Sequence, residues 1–185
     1  MKHPISSPTP RVSIAVAGTP VPQGSKKAWF NPRLKAVQMY EDAGVRHKTW
    51  RALVTGEARQ AMSDAGYVEP FTEPVSVLIH FRFARPLNQY GTGRNGRVVR
   101  DAARLHPDKP PDIDKLTRSI LDSLTQVVWV DDGQVVALTV RKQYVHRWEE
   151  DGVDIVVGTF LPSMGAYMQA AAALNGQGEE PPSGK

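Results

Sequence analysis

Apolar and polar residues alternate along two stretches of the chain, and this period of two predicts β-strands. In residues 11–18 the alternation places Val12, Ile14 and Val16 on one side. In residues 74–84 the apolar positions of one side are Val75, Val77, Ile79, Phe81 and Phe83. Residues 134–146 and 153–161 are also strand-like, and the charged turn between them predicts that they form a final hairpin.

Apolar residues at helical spacing predict two helices. The first covers about residues 35–62, with a break expected near Gly44 or Gly56. The second begins at Asp114, which is a good N-cap, and its apolar stripe contains Leu116, Ile120, Leu121 and Leu124. Helices interspersed with strands predict an α+β fold, a small single domain with a mixed β-sheet packed by two main helices.

Proline, glycine and polar residues mark the segments outside these elements. Residues 19–32 are expected to form a loop, and residues 85–110 a longer basic loop of the kind that is usually functional or disordered. Residues 1–10 predict a flexible tail, and residues 162–185 a short helix followed by a disordered tail. The folded domain is therefore expected at residues 11–161.

Composition narrows the chemistry. A chain of 185 residues can bury a core, and a net charge of +4 suits a polyanionic partner such as nucleic acid. The absence of cysteine excludes disulfides and thiolate metal sites, so any metal needs oxygen or imidazole ligands. The sequence contains no run of about 18 apolar residues, the length that a membrane-spanning helix needs. We therefore expect a cytoplasmic protein without a membrane partner.

Residues 111–136 contain five aspartates in this basic chain, and four of them, Asp112, Asp114, Asp131 and Asp132, lie at the two ends of a short predicted helix. Prolines before Asp112 favour an extended backbone, in which Asp112 and Asp114 project to the same side. Asp114 is alternatively only a helix cap, and Asp131 and Asp132 alternatively only form a turn before Gly133. Taken together, carboxylates brought close ionise comfortably only around a cation, and oxygen ligands suit Mg²⁺, for which Mn²⁺ can substitute.

This combination is what phosphodiester hydrolysis needs, because a metal activates water and stabilises the leaving oxygen while cations hold the DNA backbone. The arginines of the 85–110 loop and the lysines near position 26 supply those cations. The tryptophans are expected in the core or an interface, and Trp29 in the basic loop is the one candidate for stacking on a base, in contrast to Trp50, Trp129 and Trp148.

The sequence resembles the RusA family of Holliday-junction resolvases, which are small dimeric endonucleases common in phages and prophages. The likeness lies in PDIDKLTRSILDSL at 111–124, in DDGQVV at 131–136 and in Lys142, with looser similarity in VAGTPVPQGSKK at 16–27. The resemblance implies that Asp112, Asp114 and Asp132 are catalytic carboxylates that bind the metal, with Asp131 beside them. It also implies a homodimer that nicks four-way junctions in a bacterial or phage-infected cell.

Two positions depart from the family pattern: Lys115 stands in place of an asparagine, and Arg118 in place of a lysine. Arginine keeps the charge but cannot act as a base, so Arg118 is assigned to phosphate or transition-state contact. Asp122 matches the family, although its spacing also allows a plain ion pair with Arg118. The predicted DNA contacts are Lys26, Lys27, Arg85, Arg94, Arg97, Arg100, Arg104, Lys109, Lys115 and Lys142.

The sequence therefore predicts a Mg²⁺-dependent endodeoxyribonuclease that resolves four-way or related branched DNA in recombination and repair. One alternative is a branched-DNA-binding protein with little or no catalysis, because of the change at Arg118. Another is a metal-dependent phosphatase or nucleotide hydrolase, although that activity leaves the basic loops without a purpose.

Overall fold

The computed structural model describes residues 10–24, 26–41 and 44–159, with side chains at 12–24, 32–36 and 44–158. Both predicted terminal tails, at 1–10 and 162–185, lie outside these residues except for Pro10. The elements in chain order are β1 Pro10–Ala17, β2 Lys26–Asn31, β3 Ala36–Glu41, α1 Gly44–Asp64, β4 Val75–Ala84, α2 Ile113–Leu124, β5 Val135–Val145 and β6 Gly152–Thr159.

Four strands form a mixed sheet in the order β1, β6, β4, β5. β5 runs parallel to β4, because α2 carries the chain back between them, and β6 is antiparallel to both β1 and β4. The predicted α+β class and mixed sheet are confirmed. The predicted final hairpin is wrong, since β4 lies between β5 and β6, and residues 146–151 instead cross the end of β4.

A second, two-stranded sheet replaces parts of two other predictions. β2 and β3 pair in antiparallel register from Lys26↔Glu41 to Asn31↔Ala36, with a turn between them at residues 32–35. Residues 26–31 are therefore strand rather than loop, and residues 36–41 are strand rather than helix. α1 consequently begins at Gly44, and it continues unbroken through Gly56, because its packing outweighs the cost of about 1 kcal/mol for a glycine inside a helix.

The core lies between the sheet and the two helices. Alternate residues of β1, β4 and β6 face it, as the period of two predicted, and Val16, Ile79 and Ile155 among them are completely buried. From α2 the stripe residues Leu116, Ile120 and Leu124 enter the same cluster. Burying each such side chain contributes about 1.5 to 3 kcal/mol, so α2 is held firmly against the sheet.

Polar side chains of α1 fix the position of α2 along its axis. Three residues spaced four apart on α1 each bond a residue of α2, and the side chains are half-buried or buried. The bonds join His47 Nε2 to Ser119 Oγ at 3.1 Å, Arg51 to the Asp122 carbonyl at 2.6 Å, and Thr55 Oγ1 to the Ser123 carbonyl at 2.9 Å. Buried hydrogen bonds are directional, so this series sets the register of α2 as apolar packing alone does not.

None of the helices within the described ranges is both long enough and apolar enough to span a bilayer.

Candidate active site

The N-terminal end of α2 carries two of the predicted carboxylates. The helix begins at Ile113, so Asp112 occupies the N-cap position that the sequence assigned to Asp114, and Asp114 lies in the first turn. Asp112 itself is extended, as predicted, but Ile113 is already helical, so the extended run that would align the side chains of Asp112 and Asp114 does not form. Asp112 makes no capping bond, and its Oδ2 lies 3.0 Å from Lys115 Nζ, whereas Asp114 has no polar partner within the described part of the chain.

β5 anchors this acidic end of α2. Lys142 Nζ donates to the carbonyl of Pro111 at 2.9 Å and to that of Lys109 at 3.2 Å. These bonds tie the segment immediately before Asp112 to the sheet. The ammonium predicted to contact DNA is thus used to hold backbone carbonyls.

The other end of α2 carries Asp132. Its Oδ1 accepts from Thr125 Oγ1, at the C-cap of the helix, and from Trp129 Nε1 at 3.0 Å. Trp129 is completely buried, so this bond joins the carboxylate to the core. Asp132 is consequently fixed in place with its second oxygen left for another partner.

Asp131, beside it, organises the turn that leads into β5. Its side chain accepts from the Gly133 amide at 2.8 Å, and its own amide donates to Gln134 Oε1 at 2.8 Å. This reciprocal pair is a capping box of the short 3-10 turn Asp132–Gln134. The structure thus gives Asp131 a role in the turn, and its predicted metal ligation stays a prediction.

A groove of about 680 Å³ runs along α2 beside β5 and joins the two acidic ends. Its floor is apolar, and its polar lining includes Asp114, Arg118, Asp122 and Asp132. Arg118 makes no hydrogen bond or ion pair with another described residue. The ion pair of Arg118 with Asp122 is not formed, since Asp122 accepts instead from Gln23 Nε2 at 3.1 Å.

The two acidic ends are separated by the length of the helix. Twelve residues span about 18 Å, with Asp112 before the first turn and Asp132 bonded beyond the last. Within the described ranges, no three carboxylate, histidine or cysteine side chains form a cluster able to hold a metal. One copy of the chain therefore does not gather Asp112, Asp114 and Asp132 at a single point, and their role as metal ligands stays a prediction.

Comparison with known proteins identifies the family of this chain. Residues 17–157 match the sequence profile described as Endodeoxyribonuclease RusA, a range that runs from the last residue of β1 into β6 and includes both ends of α2. The chain belongs to the RusA endodeoxyribonuclease family. It is also 27% identical over 148 residues to the uncharacterized protein YqaN of Bacillus subtilis (strain 168), an alignment that covers 79% of this chain and 94% of YqaN. The RusA assignment supports a nuclease.

The basic loop at 85–110 of this RusA protein is folded against the domain. Some of its cations that were predicted to contact DNA are therefore bonded within the protein, and others are not. Three arginines are engaged within the loop. Arg85 donates to the Arg104 carbonyl and stacks 4.7 Å from the centre of the Tyr144 ring, Arg100 donates to the Tyr90 carbonyl, and Arg104 pairs with Asp108. Tyr90 is buried, and it bonds both Arg100 and the Arg147 amide.

Three cations of the same segment remain exposed without a polar side-chain partner among the described residues, namely Arg94, Arg97 and Lys109. These are the groups in the loop that are free to meet a phosphate. Lys26 and Lys27 lie on β2, but their side chains, like that of Trp29, are outside the described residues.

The tryptophans divide differently from the sequence prediction. Trp50 and Trp129 are core residues as expected, whereas Trp148 is 58% exposed in the segment that joins β5 to β6. Sequence could not separate them because neither periodicity nor a motif marks residues 146–151. The exposed ring is a functional candidate that the sequence analysis did not select.

His80 lies in β4, on the face of the sheet opposite the helices. Burial lowers its pKa below the ordinary value of 6.5, and the positive charge of Arg141 lowers it further, while Asp154 partly opposes the shift. Asp154 also pairs with Arg82 Nε at 3.0 Å. The histidine is thus held neutral among charged neighbours and takes no part in the groove.

Proposed function

We propose that this chain is a Mg²⁺-dependent endodeoxyribonuclease that nicks four-way or related branched DNA as a homodimer, in the cytoplasm of a bacterial or phage-infected cell. The observation that carries the proposal is the groove along α2, with carboxylates at both ends and the unpaired Arg118 between them, in a member of the RusA family. A nuclease needs just these groups, because it must hold a dication and a phosphate together.

The donor set fits a hard dication. Asp112, Asp114 and Asp132 offer only oxygen atoms, and Asp114 has no competing partner in the described part of the chain. Magnesium is commonly bound by one or two carboxylates together with substrate phosphates. We assign these three residues to metal binding, with Asp131 beside them and Mn²⁺ as a substitute. When bound, the metal would activate the attacking water and stabilise the leaving oxygen.

The chain's own cations would hold the DNA. Arg118 lies in the groove, where its guanidinium can bind a phosphate through two parallel hydrogen bonds. Arg94, Arg97 and Lys109 are free to bind more distant phosphates, and Lys26 and Lys27 remain candidates. The proposed division leaves Arg85, Arg100, Arg104 and Lys142 as residues that shape the loop and the helix end.

A homodimer would complete the site. Because the carboxylates lie at opposite ends of α2, a twofold axis beside the groove would bring Asp132 of one protomer to Asp112 and Asp114 of the other. The apolar floor of the groove, formed by Ile113, Leu121, Leu138 and Val140, supports this arrangement, since Ile113 and Leu138 are 38% and 43% exposed in the single chain. Exposed apolar residues of this kind mark association surfaces.

The test is cleavage of a labelled synthetic four-way junction with Mg²⁺. We expect paired nicks by the wild-type protein, and cutting at least about a hundred-fold slower by Asp112→Asn and Asp132→Asn, the size of loss caused by removing one group that stabilises a transition state. Asp122→Asn is the matched control, because Asp122 lies in the same groove but is paired with Gln23. Undiminished cutting by either of the first two variants would refute the assignment.

One observation favours the weaker alternative, a branched-DNA-binding protein that cuts slowly. Lys115 neutralises Asp112 at 3.0 Å, and a dication would have to displace it. Tight metal-independent junction binding without cleavage, both in the wild type and in Arg118→Lys, would support that alternative.

A further inference from the structure

Trp148 is an exposed aromatic residue in a protein whose other described tryptophans are buried. It is 58% exposed, whereas Trp50 is 4% and Trp129 0% exposed. A large indole left in water forgoes the free energy of burial, so an exposed position that is also structurally supported indicates a binding role.

The indole is stacked on a second ring. The rings of His146 and Trp148 lie 4.8 Å apart at an interplanar angle of 5°. Parallel rings present an outer flat face, and such a face is what a nucleobase stacks on. His146 is also exposed, so the two rings form a short column on the surface. We call this pair the stacking platform.

The segment that carries the stacking platform is held rigidly at both ends. Glu149 accepts from the His146 amide at 3.0 Å, and its own amide donates to the His146 carbonyl at 2.9 Å. The Arg147 amide donates to the hydroxyl of the buried Tyr90 at 3.1 Å. Asp151 accepts from the Ala84 amide at 2.6 Å and from Thr19 Oγ1 at 2.7 Å. A rigid support lowers the entropy lost on binding.

Charge around the stacking platform selects which part of DNA it can contact. Three acidic residues follow Trp148, and two of them, Glu149 and Asp151, bond backbone amides as described above. Their charge disfavours a phosphate directly on the segment. Arg147, between the two rings in sequence, has its guanidinium 5.9 Å from the centre of the Tyr90 ring, and Arg94 and Arg97, on the loop that Tyr90 anchors to this segment, carry the remaining unpaired positive charge. The surroundings therefore favour a base on the rings and its backbone towards the loop.

The stacking platform lies towards the Asp112 end of the groove. His146 follows Lys142 by four residues, about 13 Å along the strand, and Lys142 contacts the carbonyl immediately before Asp112. That separation is roughly two nucleotides of an extended strand. A base close to the scissile phosphate can therefore reach the rings.

We propose that the stacking platform of His146 and Trp148 binds a nucleobase that is exposed in single-stranded or branched DNA. The inference rests on the proposed function, because it names how the same protein would recognise the open centre of its substrate. Intact duplex keeps its bases stacked on one another, so the platform contributes little to duplex binding.

The experiment measures binding of Trp148→Ala to three DNAs in EDTA: a four-way junction, a 16-nucleotide oligo-dT strand, and a blunt duplex of matched length. We expect Kd to rise at least about five-fold for the junction and the single strand, the lower end of base–aromatic stacking, and less than two-fold for the duplex. Trp148→Phe should retain most of the affinity. Quenching of 2-aminopurine placed in the single strand should be lost in Trp148→Ala.

Leu105→Ala is the matched control, since Leu105 is a 76% exposed apolar residue on the neighbouring loop, and it should leave all three Kd values unchanged. An equal loss on all three DNAs, or no loss on any, would overturn the stacking platform. Failure of the proposed function would give a different result, because the wild type would then neither cut the junction nor bind it more tightly than duplex. The effect of Trp148→Ala on the Kd for the single strand would still test the stacking platform.

Discussion

Lys142 on β5 holds the carbonyl of Pro111, 2.9 Å from its ammonium, and so attaches the sheet to the residue immediately before Asp112. The position of the first acidic end of α2 is set by this contact together with the packing of the helix. A lysine that looks in sequence like a DNA contact is in the structure a link between two elements.

Replacing that lysine tests the link. Lys142→Met keeps the aliphatic stem but removes both hydrogen bonds, so we expect the free energy of unfolding to fall by about 1 to 2 kcal/mol, as measured by urea denaturation. Junction cleavage should fall as well, because the segment before Asp112 is no longer held, while duplex affinity changes less than two-fold. Lys109→Met is the control with the opposite expectation: its exposed side chain is proposed to bind a phosphate and holds no backbone carbonyl of a described residue, so the variant should weaken DNA binding and leave the free energy of unfolding unchanged. Weaker DNA binding at unchanged stability would instead assign Lys142 to phosphate.

The ion pair between Lys115 and Asp112 should compete with metal. Lys115→Asn removes the ammonium 3.0 Å from Asp112, and we expect the dissociation constant for Mn²⁺, titrated by calorimetry or electron paramagnetic resonance, to fall. The pair is about half exposed, so its contribution is at most about 1 kcal/mol and the gain at most about five-fold. An unchanged or weaker Mn²⁺ affinity would exclude competition between Lys115 and the metal.

A site shared between protomers predicts complementation. Asp112→Asn and Asp132→Asn should each be inactive alone, but in a mixed dimer one of the two sites is wholly wild type, so nicking of a single strand returns. A mixture of Asp112→Asn with Asp114→Asn is the matched control and should stay inactive, because every site then carries a damaged group. Equal inactivity of both mixtures, with mixed dimers verified, would show that each site belongs to one chain.

The buried His80 predicts a loss of stability in mild acid. Its pKa is lower in the folded protein than the ordinary value of 6.5, chiefly through burial and then through Arg141. As pH falls below about 6.5 the unfolded chain takes up a proton that the folded chain does not, so folding is disfavoured. We expect the unfolding free energy to decrease from pH 7 towards pH 5, and the decrease to be smaller in His80→Gln.

The same substitution at two glycines should have opposite effects. A Cβ at Gly152 would lie 2.5 Å from the Val16 carbonyl, so Gly152→Ala forces β6 away from β1 and should destabilise the protein by about 1 to 3 kcal/mol. At Gly56, in the middle of α1, nothing lies within 4 Å, and alanine should stabilise the helix by about 0.5 to 1 kcal/mol. Thermal denaturation of both variants provides the measurement.

Local patterns predicted the fold where they were strong. The alternation through Val12 and Val77 and the stripe through Ile120 each lead to a buried face, because a half-buried element must repeat its apolar residues with its own period. The β2–β3 hairpin was missed since its lysines and prolines suggest a loop, and its stability comes from pairing between strands. The position of β4 between β5 and β6 likewise depends on contacts between residues far apart in sequence, which a local pattern does not predict.

For the site, sequence selected the residues but not their arrangement. The sequence marks Asp112 and Asp132 as candidate metal ligands. Their placement at opposite ends of α2 depends on tertiary structure, because it is β5, after Asp132, that carries the chain back along the helix. Lys142 and Arg85 were both predicted to contact DNA and are engaged with backbone carbonyls, because a free and a bonded cation look alike in a sequence. Trp148 was overlooked because exposure of a ring is decided by tertiary structure.

Because the series of bonds from α1 fixes α2, the length of this helix sets a fixed distance between the two acidic ends. In the proposed dimer the two reaction centres would lie about one helix length apart, roughly 18 Å, and neither could approach the other without unseating α2 from its neighbour. Only a DNA that offers two susceptible phosphates at that spacing, on strands of matching orientation, would be cut twice in one encounter. Substrate choice would then be a property of the rigid scaffold, exercised before any base is read.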